Sequence, residues 1–143
     1  MEFRPVCEDI LEVLVNEQVL YPANMPTAYT PADAWPATLI EMPIRPVECV
    51  TLVDGVPMII SRTFNSSPLQ ADGLIIQSRA LTYRNGYDIL TRVVNELDSY
   101  RKFGLPDREY AYQHLMLQMP ITYLGKDENS RFLCEVRYSA LRW

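Results

Sequence analysis

Hydrophobic residues near the start of the chain recur at helical spacing. Val6, Ile10 and Leu14 follow one another every four residues, and this period predicts a helix over residues 5–20. A second apolar stripe predicts a longer helix from Tyr83 to about Phe103. Its members are Tyr87, Ile89, Leu90, Val93, Val94 and Leu97. Two amphipathic helices are therefore expected.

The second helix has recognisable boundaries in the sequence. Thr82 can cap its N-terminus, because a threonine hydroxyl accepts a hydrogen bond from a backbone N–H of the first turn. Gly104 and Pro106 follow its expected end, where they would stop it. These signals predict where the longer helix begins and ends.

Runs of apolar residues with a period of two predict strands. Glu48–Val53 leads into Asp54-Gly55, a strong turn signal, so Met58–Phe64 is expected to be its hairpin partner. The other predicted strands are a short edge strand at Thr38–Met42, a central strand at Leu74–Leu81, and a pair at Gln113–Met119 and Phe132–Leu141 around a turn at residues 125–129. Since helices and strands do not alternate as βαβ units, the predicted class is α+β, with a mostly antiparallel sheet flanked by two helices.

A Pro-rich segment separates the first helix from the main strands. Residues 21–47 are predicted to form a loop or arm, because the four prolines between Tyr21 and Pro36 disfavour both a helix and an interior strand. Apolar residues in such a segment lie either on their own domain or on a neighbouring subunit. The residues expected to make this contact are Met25, Tyr29 and Trp35.

Composition and charge narrow the possible classes. With 143 residues, 48% of them hydrophobic, the chain is predicted to form one domain over residues 1–143. Lys and Arg number 13 against 18 Asp and Glu, and the net charge of -5 opposes binding along a phosphate backbone. An acidic lumen through which DNA passes without specific binding would fit this charge, and so would ordinary solubility. No apolar run approaches the roughly 18 residues of a membrane helix, so we expect a protein made in the cytoplasm, without membrane contact.

Residues that could carry chemistry are sparse. Cys7, Cys49 and Cys134 form no CxxC pair and lie in apolar patterns, where a thiol is inert. His114 is the one histidine and has no partner at metal-ligand spacing. No nucleotide-binding loop or nucleophile motif occurs. We therefore expect no enzyme, cofactor or metal site; an unrecognised thiol or carboxylate site is the least favoured alternative.

Three segments of the sequence are informative as a set, because of their order and their spacing along the chain. The first is Cys49–Leu52 followed by the turn-like run Asp54–Pro57. The second is the strand Ile75–Arg79, which passes directly into a helix with Tyr83 at its start. The third and most specific is Leu124–Phe132, which reads Leu-Gly-Lys-Asp-Glu-Asn-Ser-Arg-Phe. Together they resemble the minor capsid and tail terminator family of tailed bacteriophages.

The chain also departs from that family's pattern. Gly86 stands in the first turn of the helix where the family tends to have alanine, and Ser130 replaces a usual glycine. Segment 21–47 has no counterpart that aligns. These departures concern loop geometry and the identity of the partner more than the fold.

The resemblance implies a tail-terminator-like fold that works as a structural virion protein. Such a protein forms a homo-hexameric ring that caps the head-proximal end of the tail tube. It contacts the tail tube protein on one side and a head-closure or neck protein on the other. Subunit or partner contacts are expected near the last turn and the C-terminus, at Asp127, Glu128, Arg131 and Trp143.

Two other functions remain open from the sequence. One is a head-closure or connector adaptor of the phage neck, and the other is a protein-binding module with no phage role. A ring needs no active site, and neither does an adaptor or a binding module, so the sparse chemistry fits all three.

Overall fold

The computed structural model describes residues 4–24, 33–62, 68–100, 102–105 and 108–142, with the backbone alone for residues 57–62 and 68–70. The described chain forms two helices and seven strands. They are α1 (Val6–Asn16), β1 (Leu20–Pro22), β2 (Trp35–Leu39), β3 (Cys49–Arg62), β4 (Pro68–Ala80), α2 (Tyr83–Asp98), β5 (Phe103–Gly104), β6 (Ala111–Lys126) and β7 (Phe132–Arg142).

All seven strands belong to one sheet, in the order β1-β2-β3-β4-β7-β6-β5. β1, β2 and β3 run parallel to one another, and every other neighbouring pair is antiparallel. The predicted α+β class is confirmed, and so is a mostly antiparallel sheet with two helices. The parallel pairs at one side make the sheet mixed.

Both helices pack on the same face of the sheet. Asp54 of β3 and Leu74 of β4 are cross-strand partners and share this face. The Asp54 carboxylate accepts a hydrogen bond of 2.8 Å from the backbone N–H of Cys7 in α1. Ser78, two alternations along β4, donates a 3.1 Å hydrogen bond to the carbonyl of Gly86 in α2. The main core therefore lies between this face and the helices.

The core contains the apolar faces of the central strands and of the helices. Leu74, Ile76 and Ala80 of β4 are fully buried, as the alternation of this strand predicts. Its predicted central position is confirmed, because β4 is the fourth strand of seven. In β7 the predicted apolar face is buried at Cys134, Val136, Tyr138 and Ala140, but burial does not alternate along the strand, because Glu135 and Ser139 on the opposite face are buried too.

Each helix is shorter than predicted. α1 ends at Asn16 rather than at residue 20, because Gln18 adopts a left-handed backbone conformation (φ 60°) that turns the chain into β1. α2 is capped by Thr82, as predicted, through a 3.2 Å hydrogen bond from the Asn85 N–H. It ends at Asp98, and the chain then enters β5. Gly104 and Pro106 are not its stop signals.

One predicted turn is instead the middle of a strand. β3 continues through Asp54-Gly55, and its hairpin partner is β4, not Met58–Phe64. The Asp54 side chain is held by α1 rather than by a turn. Gly55 lies directly opposite Gly73, where the register shifts and the two backbones come close together. Here the glycine permits a close approach of strands, not a reversal of the chain.

The Pro-rich segment contributes β1, which the sequence did not predict, and β2, which overlaps the predicted edge strand Thr38–Met42. β2 begins at Trp35, three residues before the predicted strand, and lies between β1 and β3 rather than at an edge. Pro36 is tolerated inside it because β2 pairs with β3 only from Ala37 onward. The missing N–H of Pro36 therefore interrupts no hydrogen bond of that ladder.

The close approach of β3 and β4 makes a stability prediction. A Cβ at Gly73 would lie 2.8 Å from the carbonyl oxygen of Val56 and 2.9 Å from the carbonyl carbon of Gly55. Because both are backbone atoms, we expect Gly73→Ala to lower the free energy of unfolding by about 1–3 kcal/mol. Gly104→Ala, with no atom within 4 Å of the added carbon, is the matched control. Equal urea midpoints for the two variants would contradict this account.

Candidate interaction surface

The thiols are not available for chemistry in the folded chain. Cys7, Cys49 and Cys134 are all buried and free. Burial, with the charge of Asp54 as the next cause, raises the pKa of Cys7 to about 12. Burial also raises the pKa of Cys49 and that of Cys134. A protonated, enclosed thiol is neither a nucleophile nor a metal ligand.

The most buried charge of the described chain is a carboxylate in α1. Asp9 is fully buried, and its Oδ2 accepts hydrogen bonds from the hydroxyls of Tyr110 (2.6 Å) and Tyr112 (2.7 Å). The guanidinium of Arg4 lies 3.4 Å from Oδ1, and that of Arg142 lies 3.7 Å from Oδ2. Burial raises the pKa of Tyr112, so this hydroxyl stays a donor. The group ties α1 to the start of β6 and the end of β7.

The described residues contain neither a cluster of metal-binding side chains nor a membrane-spanning helix. Within them, no three side chains of His, Cys, Asp or Glu gather as ligands for a metal ion. His114 lies in β6 and is exposed to solvent. Neither described helix is long and apolar enough to cross a membrane.

An exposed group of aromatic side chains lies where α2 begins beside the β6–β7 hairpin. We name it the aromatic patch, and its members are Tyr83, Tyr87, Tyr123 and Phe132. The ring of Tyr83 meets that of Tyr123 edge to face, with 5.4 Å between centroids. Tyr87 stacks beside Tyr83 at 5.9 Å, and Phe132 lies 6.0 Å from Tyr123. The three tyrosines remain 41–45% exposed.

The aromatic patch has the character of a contact surface. Tyrosine is enriched at the centres of protein interfaces, because it offers apolar area and a hydroxyl at a small entropic cost. Leu124, next to Tyr123, is 48% exposed and extends the apolar area. Lys126 places its ammonium 4.8 Å from the centre of the Phe132 ring. A contiguous apolar group with a charged rim is typical of a protein-binding site.

The predicted contact residues Asp127, Glu128 and Arg131 lie in the turn beside this patch. Asp127 and Arg131 form an ion pair of 2.7 Å within the turn. The backbone N–H of Arg131, donating to the carboxylate, is the main cause that holds the pKa of Asp127 below its usual value. Glu128 is exposed. The turn is thus held rigidly by its own side chains, and Glu128 is the member that points to solvent.

The other predicted contact residues are placed differently. Trp35 is half-buried in β2 and packs against the hydrophobic core of its own chain. Met25, Tyr29 and Trp143 lie outside the described residues. Whether these four residues also contact a neighbouring subunit stays a prediction.

The outer edge of β6 is the second surface feature. β5 pairs with β6 only at Ala111 and Tyr112, and no other described strand pairs with β6 on that side. We name residues 113–126 of β6 the open edge. Its exposed apolar side chains are Met116, Leu117, Tyr123 and Leu124. Unpaired N–H and C=O groups beside apolar side chains make such an edge ready to accept another strand.

The sequence carries a signal for the open edge in a long run without charged residues. From Ala111 to Gly125 there is no Asp, Glu, Lys or Arg, although charged residues make up 22% of the chain. Edge strands are commonly protected by charged side chains, and this one is protected only by Pro120 and register shifts. Which strand forms the edge depends on long-range pairing, so only the fold gives the uncharged run its meaning.

Buried thiols make a reactivity prediction. At pH 8 we expect none of the three cysteines to react with Ellman's reagent within minutes, and all three to react after unfolding in guanidinium chloride. Since the pKa of Cys7 is higher in the folded chain, unfolding should also become easier as the pH rises from about 9 towards 12. Rapid labelling of the native protein would contradict the burial described above.

Comparison with known proteins identifies no relative: no family model matches the chain, and no curated protein is similar to it. The aromatic patch, the open edge and the resemblance of the three sequence segments are therefore the features that bear on function.

Proposed function

We propose that the chain is a structural, non-enzymatic virion protein of a tailed bacteriophage. It self-associates into a ring at the head-proximal end of the tail tube and joins the tail to the head. Its partners are further copies of itself, the tail tube protein and a head-closure or neck protein. DNA passes through the lumen without specific binding. Six copies per ring is the number that the family resemblance implies.

The aromatic patch is the observation that carries the self-association. Three tyrosines that stay nearly half exposed, packed on one another rather than on the core, are unusual unless another surface covers them. They lie beside the turn Leu124–Phe132, which is the segment with the most specific family resemblance. One region of the surface thus supports the proposal on two independent grounds.

The role of such a protein is geometric. Each subunit must bind its neighbour through one surface, while the two faces of the ring must match a tube and a neck. Rigid surface elements suit this task better than mobile ones. The ion-paired turn at Asp127 and Arg131, adjoining the aromatic patch, is such an element.

Light scattering tests the proposal directly. The purified protein, alone or mixed with the tail tube protein of the same phage, should have a mass several times the 16.5 kDa of one chain. Negative-stain images of the same sample should show rings. A monomer in both samples and by both methods would overturn the proposed function.

A double substitution tests the aromatic patch. Replacing Tyr83 and Tyr123 by serine removes the edge-to-face pair. We expect the dissociation constant of the assembly to rise at least tenfold, because each interface tyrosine commonly contributes about 1–2 kcal/mol to binding. Sedimentation at a series of concentrations measures it. The matched control replaces the exposed Asn95 and Asp98, at the other end of α2, by serine. Equal effects of both double variants would contradict the role of the patch.

A further inference from the structure

The hairpin of β3 and β4 extends beyond the rest of the sheet. β4 pairs with β7 only from Asp72 onward, and β2 pairs with β3 only through Leu52. Beyond these positions, residues 58–62 and 68–71 pair with each other and with no other described strand. We name these two strand segments, 58–62 and 68–71, the hairpin arm. An isolated two-stranded hairpin is marginally stable in water, so an arm of this kind gains stability from a third strand.

The arm cannot supply that third strand to its own open edge. β4 is separated from β6 by β7, so the open edge lies two strand spacings away, about 10 Å, and faces outward. To reach it, the arm would have to leave β4 and β3 of its own sheet. Within one subunit the hairpin arm and the open edge therefore cannot pair with each other. In an assembly, the arm of one copy can pair with the open edge of the next.

We propose that the hairpin arm of one subunit adds as an extra strand to the open edge of β6 in the next subunit. The inference rests on the self-association proposed above and assigns its contact. The two surfaces differ, so the contact is heterologous, and a heterologous contact repeated by rotation closes into a ring. Main-chain hydrogen bonds of an added strand supply affinity, and side chains on alternate positions supply specificity.

The best-formed part of the open edge is His114–Leu117. These four residues pair with β7 without a register shift, whereas shifts and Pro120 interrupt the ladder farther along. Met116 and Leu117 are 45% and 38% exposed and point to opposite faces of the strand. An added strand would thus be covered by an apolar side chain on each face. The five residues 58–62 of β3 in the arm are long enough to pair with all four of these edge residues.

Two variants, each lacking one half of the contact, test the proposal. The edge variant carries Met116→Lys and Leu117→Lys, since lysines on an edge strand prevent strand addition. The arm variant has residues 59–70 replaced by Asn-Gly, which joins Met58 to its cross-strand partner Ala71 by a two-residue turn. The matched control carries Ile40→Lys and Ile44→Lys, at exposed apolar residues outside the sheet.

The expected masses differ between a head-to-tail contact and any other. Each variant alone should be a monomer, and the control should assemble like the wild type. A mixture of the two variants should form a 1:1 pair of about twice the 16.5 kDa chain mass and nothing larger, because one intact arm then meets one intact edge. Circular dichroism with cooperative thermal unfolding verifies that each variant is folded.

Other results would overturn the inference in distinguishable ways. If the wild type assembles but the mixture stays monomeric, or if either variant alone still forms rings, the arm does not bind the edge, while the proposed ring stands. If the wild type is monomeric alone and with the tail tube protein, both proposals fail. A peptide of residues 56–70, in excess over intact protein, gives a test without variants: it should convert rings to smaller species, and unchanged rings would overturn the contact.

Discussion

The buried carboxylate of Asp9 is the interaction on which the arrangement of the molecule depends. A charged group without water is costly unless hydrogen bonds and opposite charges surround it. Asp9 obtains two tyrosine hydroxyls from the β6 side and guanidinium groups from Arg4 and from Arg142 at the end of β7. This one group therefore fixes α1 against the far strands of the sheet.

The same constraint explains where β6 becomes free. Tyr110 and Tyr112 are held by Asp9, and Tyr112 also stacks on Phe103 of β5, with 4.7 Å between ring centroids. Beyond Tyr112, β5 no longer pairs with the strand, so its outer edge has no strand partner in the described chain. The rigid start of β6 presents the open edge in a fixed direction, which is what a subunit contact requires.

Local patterns in the sequence predicted the parts of the fold that short-range chemistry decides. The Thr82 cap and the buried face of β4 follow from neighbouring residues, and both are confirmed. The errors came from long-range contacts. Asp54-Gly55 has turn composition, but a hydrogen bond to α1 and the opposing Gly73 keep it within a strand. Likewise, the burial of Asp9 depends on tyrosines that lie 101 and 103 residues away in the sequence.

The candidate interaction surface likewise has one part that neighbouring residues decide and other parts that depend on long-range contacts. The turn at Asp127 and Arg131 could be located from the sequence, because its residues are consecutive. The aromatic patch could not, since Tyr83 and Tyr123 come together only through the packing of α2 beside the β6–β7 hairpin. The open edge likewise needs the strand order. What the fold adds to the sequence is therefore the set of surfaces through which copies of the chain can bind one another.

The central claim is that the outer edge of β6 is covered by another copy of the chain, and hydrogen–deuterium exchange measures this most directly. The amides of residues 113–119 should exchange slowly at concentrations where the protein is assembled and at least tenfold faster after dilution to monomers. The amides in the buried middle of α2 should exchange equally slowly in both samples. Equal exchange of residues 113–119 in assembled and dissociated protein would contradict the account.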